Sequence, residues 1–229
     1  MYIRLLVPVL FLLGSLLSGC ASPTKMAFDP ELTTPLEPDK PVYLMTFTIK
    51  NKYRPDYQPN LLVVNVEKAI VNGSEDRINF TMDDKAKAET DNVATGNTYY
   101  LRMPLARGDY IIRGFTSLYR SFPIIASFFA PLHADVKANG SGMYYLGHVD
   151  ATVNERQGDE FRAGSPIPLI DQSVAGASGG SFDIVVSDQW QRDWPIFQQR
   201  FPQLTSAQVE KAILPAFDRA KAQKWWEDN

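Results

Sequence analysis

Between Val42 and Val186 apolar residues recur at every second position in several short runs, with Gly, Asn or Pro in the stretches between them. Only strands, whose successive side chains point to opposite faces, give that period. Tyr43, Met45, Phe47 and Ile49 alternate with Leu44, Thr46, Thr48 and Lys50, while Leu61–Val66 is apolar enough for a more fully buried strand. After the Asn72-Gly73 turn, Ile78, Phe80 and Met82 alternate with Arg77, Asn79 and Thr81. Tyr99–Met103 and Leu105–Phe115 read as two strands around a Gly108 turn, and Asp83–Asn97 as a long loop. Leu132, Ala134 and Val136 lead into Asn139-Gly140-Ser141-Gly142, and Met143–Val153 returns, which predicts a hairpin over 131–153. Ile167–Ile170 reads as a short strand, Ala175–Ser181 as a flexible loop and Phe182–Val186 as the closing strand. The expected fold is mainly β, an antiparallel β-sandwich over 42–186.

The period then changes. Trp190, Trp194, Phe197 and Phe201 fall on one helical stripe, which Pro195 kinks or restarts and Pro202 ends. Thr205 with Gln208 makes a capping box, predicting a helix with Val209, Ala212, Ile213, Ala216, Phe217 and Ala220 on one face, bent by Pro215. Residues 187–229 are therefore expected as an extension of two short α-helices whose aromatic faces dock on the sheet. The most apolar stretch of the body is Phe122–Leu132, FPIIASFFAPL. Two readings stand: buried core, which is preferred because large exposed apolar patches are rare, or a contact surface for a partner or membrane.

Before the body, Arg4 precedes an uncharged thirteen-residue run, Leu5–Leu17. That run suits an export signal and is short of the roughly 20 apolar residues a spanning helix needs. The next residues, Leu17-Ser18-Gly19-Cys20, resemble the lipobox of bacterial lipoproteins. The resemblance implies cleavage before Cys20, removal of residues 1–19 as a signal peptide, a diacylglyceryl group on the Cys20 sulfur and acylation of the freed amine. Two or three acyl chains would make the membrane a lasting partner. Ala21, where inner-membrane lipoproteins often carry Asp, favours the outer membrane, with the body facing the periplasm. An ordinary signal cut elsewhere, or an uncleaved helix, are the alternatives. Residues 20–41, with prolines at 23, 30, 35, 38 and 41, read as lipidated Cys20 and a flexible tether, unless Phe28 and Leu32 dock on the body. Within the body, the Gly-acidic-Tyr turn at Gly108-Asp109-Tyr110 and its flanking strands, over 98–118 and 142–153, resemble the hairpins of transthyretin-like and carboxypeptidase-regulatory-like β-sandwich domains, many of which are non-catalytic.

The inventory of reactive groups is small. His133 and His148 fall on opposite arms of the expected hairpin, where Asp135 or Asp150 could join them, yet two histidines make no zinc site and an outward polar face is the plainer reading. Gly176-Ala177-Ser178-Gly179-Gly180 fits Gly-X-Ser-X-Gly formally, but lacks the preceding strand and following helix of a nucleophile elbow. The carboxylate pairs Asp83-Asp84 and Asp159-Glu160 read as solvated loop charge, and there is no phosphate loop. A formal net charge of −3 without a basic cluster argues against nucleic acid. The single cysteine leaves the body no disulfide. These features point to a membrane-anchored envelope lipoprotein acting as a non-catalytic binding or assembly module, with another envelope protein as a candidate partner. No catalytic or metal-binding residue is assigned, and the covalent lipid on Cys20 is the one non-protein group. A periplasmic hydrolase built from distant loops, or a carrier with a cavity lined by Phe128, Phe129 or the C-terminal tryptophans, are the alternatives.

Overall fold

The structure, a computed structural model, describes residues 22–28, 40–88 and 94–229. The expected signal peptide, Cys20 and residues 29–39 of the expected tether lie outside them. The strands are β1 (Ser22–Lys25), β2 (Val42–Asn51), β3 (Asn60–Lys68), β4 (Arg77–Thr81), β5 (Asn97–Pro104), β6 (Gly108–Ser121), β7 (Ile124–Ala138), β8 (Met143–Glu155), β9 (Gly180–Ser187) and β10 (Val209–Lys211). The helices are α1 (Leu169–Val174), α2 (Trp190–Arg200) and α3 (Arg219–Asp228). One sheet has the order β1-β4-β3-β6-β7; the other runs β10-β8-β2-β5, with β9 also on β8.

The two sheets face each other across a core in which Phe47 of β2 stacks on Phe115 of β6 at 3.8 Å between ring centroids. Tyr43, Met45, Phe47 and Ile49 fill this core, as their alternation requires. The opposite face of β2 is buried as well: Val42 and Leu44 pack with Tyr145, Phe197, Phe201 and Leu204 beneath α2. Each such aliphatic side chain contributes roughly 1.5–3 kcal/mol when fully removed from water. On the other flank, α3 lays Trp225 against Phe129 of β7. The molecule is thus a β-sandwich with a C-terminal helix on the outer face of each sheet.

Several pairings differ from the expected ones. The sheets are mixed rather than purely antiparallel, because β1 with β4, β2 with β8 and β10 with β8 run parallel. The expected hairpins around Gly108 and Asn139–Gly142 are crossings between layers: β5 and β8 lie in one sheet, β6 and β7 in the other. A glycine turn reports that the chain reverses, not which sheet receives it. The long hairpin is instead β6–β7, whose ladder runs from Gly108 opposite Ala138 to Ser121 opposite Ile124.

Residues 22–28, expected within the tether, belong to the body. β1 adds to the open edge of β4, where Pro23 is tolerated, and Met26 and Ala27 are buried. Arg102, itself fully buried, fastens this segment by donating from Nε to the Ala27 carbonyl at 2.8 Å. It also pairs with Asp83 and lies over the Phe201 ring. The helix expected from Thr205 is absent. Val209–Lys211 forms β10, the chain stays extended as Ala212 and Leu214 donate to Tyr145 and Leu146 carbonyls, and α3 starts only after Pro215, at Arg219. Open carbonyls on β8 outcompete a helix whose ladder Pro215 would break. Ile167–Ile170, expected as a strand, is a bend leading into α1. The Phe122–Leu132 stretch divides. Ala126, Phe128, Ala130 and Leu132 enter the core at every second position, whereas Phe122 at the hairpin tip is 99% exposed.

Candidate functional site

His148 reaches the outer face of its sheet through a bulge. Leu44 pairs with Tyr145 but Thr46 pairs with His148, so β8 carries one extra residue. Gly147 sits there with φ 105, and a Cβ would stand 3.0 Å from the Ser187 carbonyl oxygen. An inserted residue reverses the alternation and turns His148 away from the core, towards α2. There its Nδ1 lies 3.2 Å from Asp193 Oδ2, and its Nε2 lies 3.0 Å from Thr48 Oγ1 and 3.1 Å from Asp150 Oδ1. Asp193 also accepts from the Tyr145 hydroxyl at 2.7 Å and from Arg192 Nε at 2.9 Å, and Arg192 Nη2 abuts His148 Nδ1.

The charges follow from these contacts. For His148, burial is the largest influence and disfavours the imidazolium, but the hydrogen bonds and charges of Asp150 and Asp193 together outweigh it and raise the pKa. Asp193 is pulled upward by burial, yet hydrogen bonds from His148, Tyr145 and Arg192 and the charge of His148 hold it at about 2. Burial, then the bond to Asp193, pushes the Tyr145 phenol up. The protonated ring, with both nitrogens donating to carboxylates, is the form this setting favours.

Asp193, His148 and Thr48 stand in acid–imidazole–hydroxyl order, the connectivity of a nucleophilic triad. The ring is only 2% exposed, however, Nε2 is shared with Asp150, and the Thr48 hydroxyl is tied to Thr98 Oγ1 at 2.9 Å. The nearby depression of about 380 Å³ is lined by Asp188, Gln189, Trp190, Gln191, Arg192 and Lys211, so it lies on the α2 side and not over Thr48.

His133 is equally buried but sits in the other sheet, so the two histidines do not meet. It occupies a positive-φ position (φ 51) where the β6–β7 register shifts. Nδ1 faces Arg113 Nη1 at 3.4 Å, the ring lies 5.0 Å from that of Trp225, and Lys221 Nζ donates to the His133 carbonyl at 2.7 Å. Nε2 has no hydrogen-bond partner among the described residues. Burial first, then Arg113 and Lys221, depress its pKa to about 4.

The other sequence candidates stay apart. Ser178 lies in the turn before β9, its N–H donating to the Gln172 carbonyl, while His148 pairs with Ser187 at the far end of that strand. Asp83 belongs to Arg102, Glu160 to Arg219, and the Asp159 carbonyl accepts from Gln223. Asp135 pairs with Lys221 at 3.5 Å. Phe128 is core and Phe129 meets Trp225, so these expected cavity residues fill space instead of lining it. Among the described residues, no group of three or more His, Cys, Asp or Glu side chains is arranged to hold a metal ion, and no helix is long and apolar enough to cross a membrane.

One surface feature is unsatisfied by the fold. At the end of the sandwich where β6 turns into β7, Phe122 and Ile125 are exposed, and the 167–174 segment exposes Ile167, Leu169, Ile170 and Val174. α1 is fixed there by its polar side chains: Asp171 Oδ2 accepts from the Ile125 N–H at 3.0 Å and Gln172 Oε1 from the Ser127 N–H at 2.8 Å. Its apolar side chains are thereby left facing outward. Of this crown, the contact-surface reading covers only Phe122 and Ile125; Ile167, Leu169 and Ile170 fall in the stretch expected as a strand, because a helix of six residues carries too little periodicity to read. No family model, curated protein or solved structure matches the chain.

Proposed function

We propose that the chain is a lipid-anchored, non-catalytic binding and assembly module of the cell envelope, held through Cys20 and acting through the apolar crown. The observation carrying this reading is the placement of the two ends. Ser22 pairs with Ile78, Ile78 with Val66 and Val66 with Ile112, so β1 starts level with Ile112 of β6. The crown begins at Ser121, about 30 Å further along the strands at roughly 3.3 Å per residue. β1 runs towards the crown, so the chain enters from the opposite end. A body anchored at that entry would present its apolar face away from the bilayer.

The test is mass spectrometry of the processed amino terminus together with fractionation of a Cys20→Ala variant. The reading expects a lipid adduct on Cys20 and loss of mature, membrane-bound protein in the variant. A mature chain beginning elsewhere, or an unmodified Cys20, would sink it. The hydrolase remains as the second reading because of the Asp193–His148–Thr48 line. It expects turnover of an ester or amide that Thr48→Val abolishes; unchanged turnover in that variant removes Thr48 as nucleophile.

A further inference from the structure

We infer that the crown is a self-association surface whose occupant is a second copy of this chain, each copy seating its Phe122 tip against the α1 face of the other. Four observations carry this. The first is size. The exposed side chains of Phe122, Ile125, Ile167, Leu169, Ile170 and Val174 offer on the order of 700 Å², close to the ~800 Å² per partner of a standard interface and above the ~300–600 Å² of the largest patch on a typical monomer.

The second is shape. The β6–β7 tip is a knob, its Phe122 wholly exposed, and beside α1 lies an open depression of about 450 Å³ lined by Tyr53, Arg54, Pro55, Asp56, Tyr57, Ser173 and Val174. That volume is ample for a phenyl ring, and tyrosine and arginine are among the residues enriched at interface hot spots. The third is charge. The rim carries both signs, Arg54 and Arg120 with Asp56, all exposed, so a two-fold axis can set an arginine of one copy against Asp56 of the other. Knob and socket on one chain are what an isologous contact needs, since residue i then meets j as j meets i.

The fourth is orientation, and it rests on the anchored-module reading. Copies held at the Ser22 end of one bilayer carry their crowns at the same height, where a two-fold axis along the membrane normal brings them side by side. A bilayer as occupant would instead require the end farthest from the anchor to turn back.

Photo-crosslinking of full-length protein in native membranes tests this with Phe122→p-benzoylphenylalanine. The expected product has twice the chain mass, with the adduct mapping to residues 53–57 or 169–174. Ile170→Asp and, separately, Ile170→Ser in the same background should lower its yield at least tenfold while circular dichroism stays unchanged. Val185→Asp, an exposed apolar site on β9, should leave it unaffected. Adducts to lipid, to a different protein, to ladders of higher multiples, or none at all would each overturn the two-fold pairing. The amino-terminal mass of the same sample reports the anchor independently, so failure of one reading is distinguishable from failure of the other.

Discussion

The two histidines are a controlled comparison made by the molecule itself. Each lies on a long strand, each is nearly sealed from solvent, at 3% and 2% exposure, and each faces one of the C-terminal helices. What differs is the charge that the helix and the strands bring. Arg113 and Lys221 surround His133, whereas Asp150 and Asp193 surround His148, with Arg192 bridging Asp193. Equal burial therefore yields opposite protonation preferences, and the identity of the partner decides the direction. His133 serves as a neutral aromatic spacer under Trp225. His148 serves as a hydrogen-bonded pin between sheet and helix.

The strongest blow to this contrast is Asp193→Ala, which removes the shared acceptor of His148, Tyr145 and Arg192. Breaking a buried pair by deleting one member costs roughly 3–5 kcal/mol, and urea unfolding at pH 7 should show a loss of that size. A loss under 1 kcal/mol would mean that the pin carries no load.

The next effect belongs to His133. With its folded pKa held at about 4, the native state refuses a proton that the unfolded chain accepts below the ordinary value of 6.5. Stability is then full above pH 6.5 and declines as pH falls towards 4, by up to about 3 kcal/mol. His133→Asn, which tolerates the positive φ, should flatten that limb of a pH–stability profile. An unaltered slope would assign the acid sensitivity elsewhere.

Gly147→Ala probes how His148 comes to face α2 at all. A methyl group at φ 105, 3.0 Å from the Ser187 oxygen, should cost about 1–3 kcal/mol in chemical denaturation. The smallest expected change is the slope contributed by His148. Its raised folded pKa means that its stabilisation is complete below pH 6.5 and fades as pH rises through the raised value. His148→Gln should remove that alkaline-side decline while leaving the acidic limb due to His133 in place.

Alternation identified β2, β4 and the second half of β7 because each has a core-facing side that repeats every second residue, and continuous apolar character identified β3. It also located both histidines on strands. It failed where the decisive information is non-local. The layer that receives β6 or β8 depends on which ladder edge is free, and the facing of His148 depends on one inserted glycine. Asp193 was invisible as a partner because 45 residues separate it from His148 in the chain. The run from Thr205 looked helical by cap and spacing, and lost to the unpaired carbonyls of β8. Arg102 gave no signal, since a cation among strand residues usually marks a wet face, and here it is wholly enclosed by Ala27, Asp83 and Phe201.

The Arg102 fastening has a mechanical consequence. A pull on the chain ahead of Ser22 is directed along β1, so it loads the β1–β4 ladder in shear, all rungs together, rather than peeling them one by one. The guanidinium grip on the Ala27 carbonyl sits behind that ladder as a second stop. Traction at the amino terminus is passed into the first sheet as a whole, and the opposite end of the sandwich can take up a contact without the leading strand being stripped from its edge.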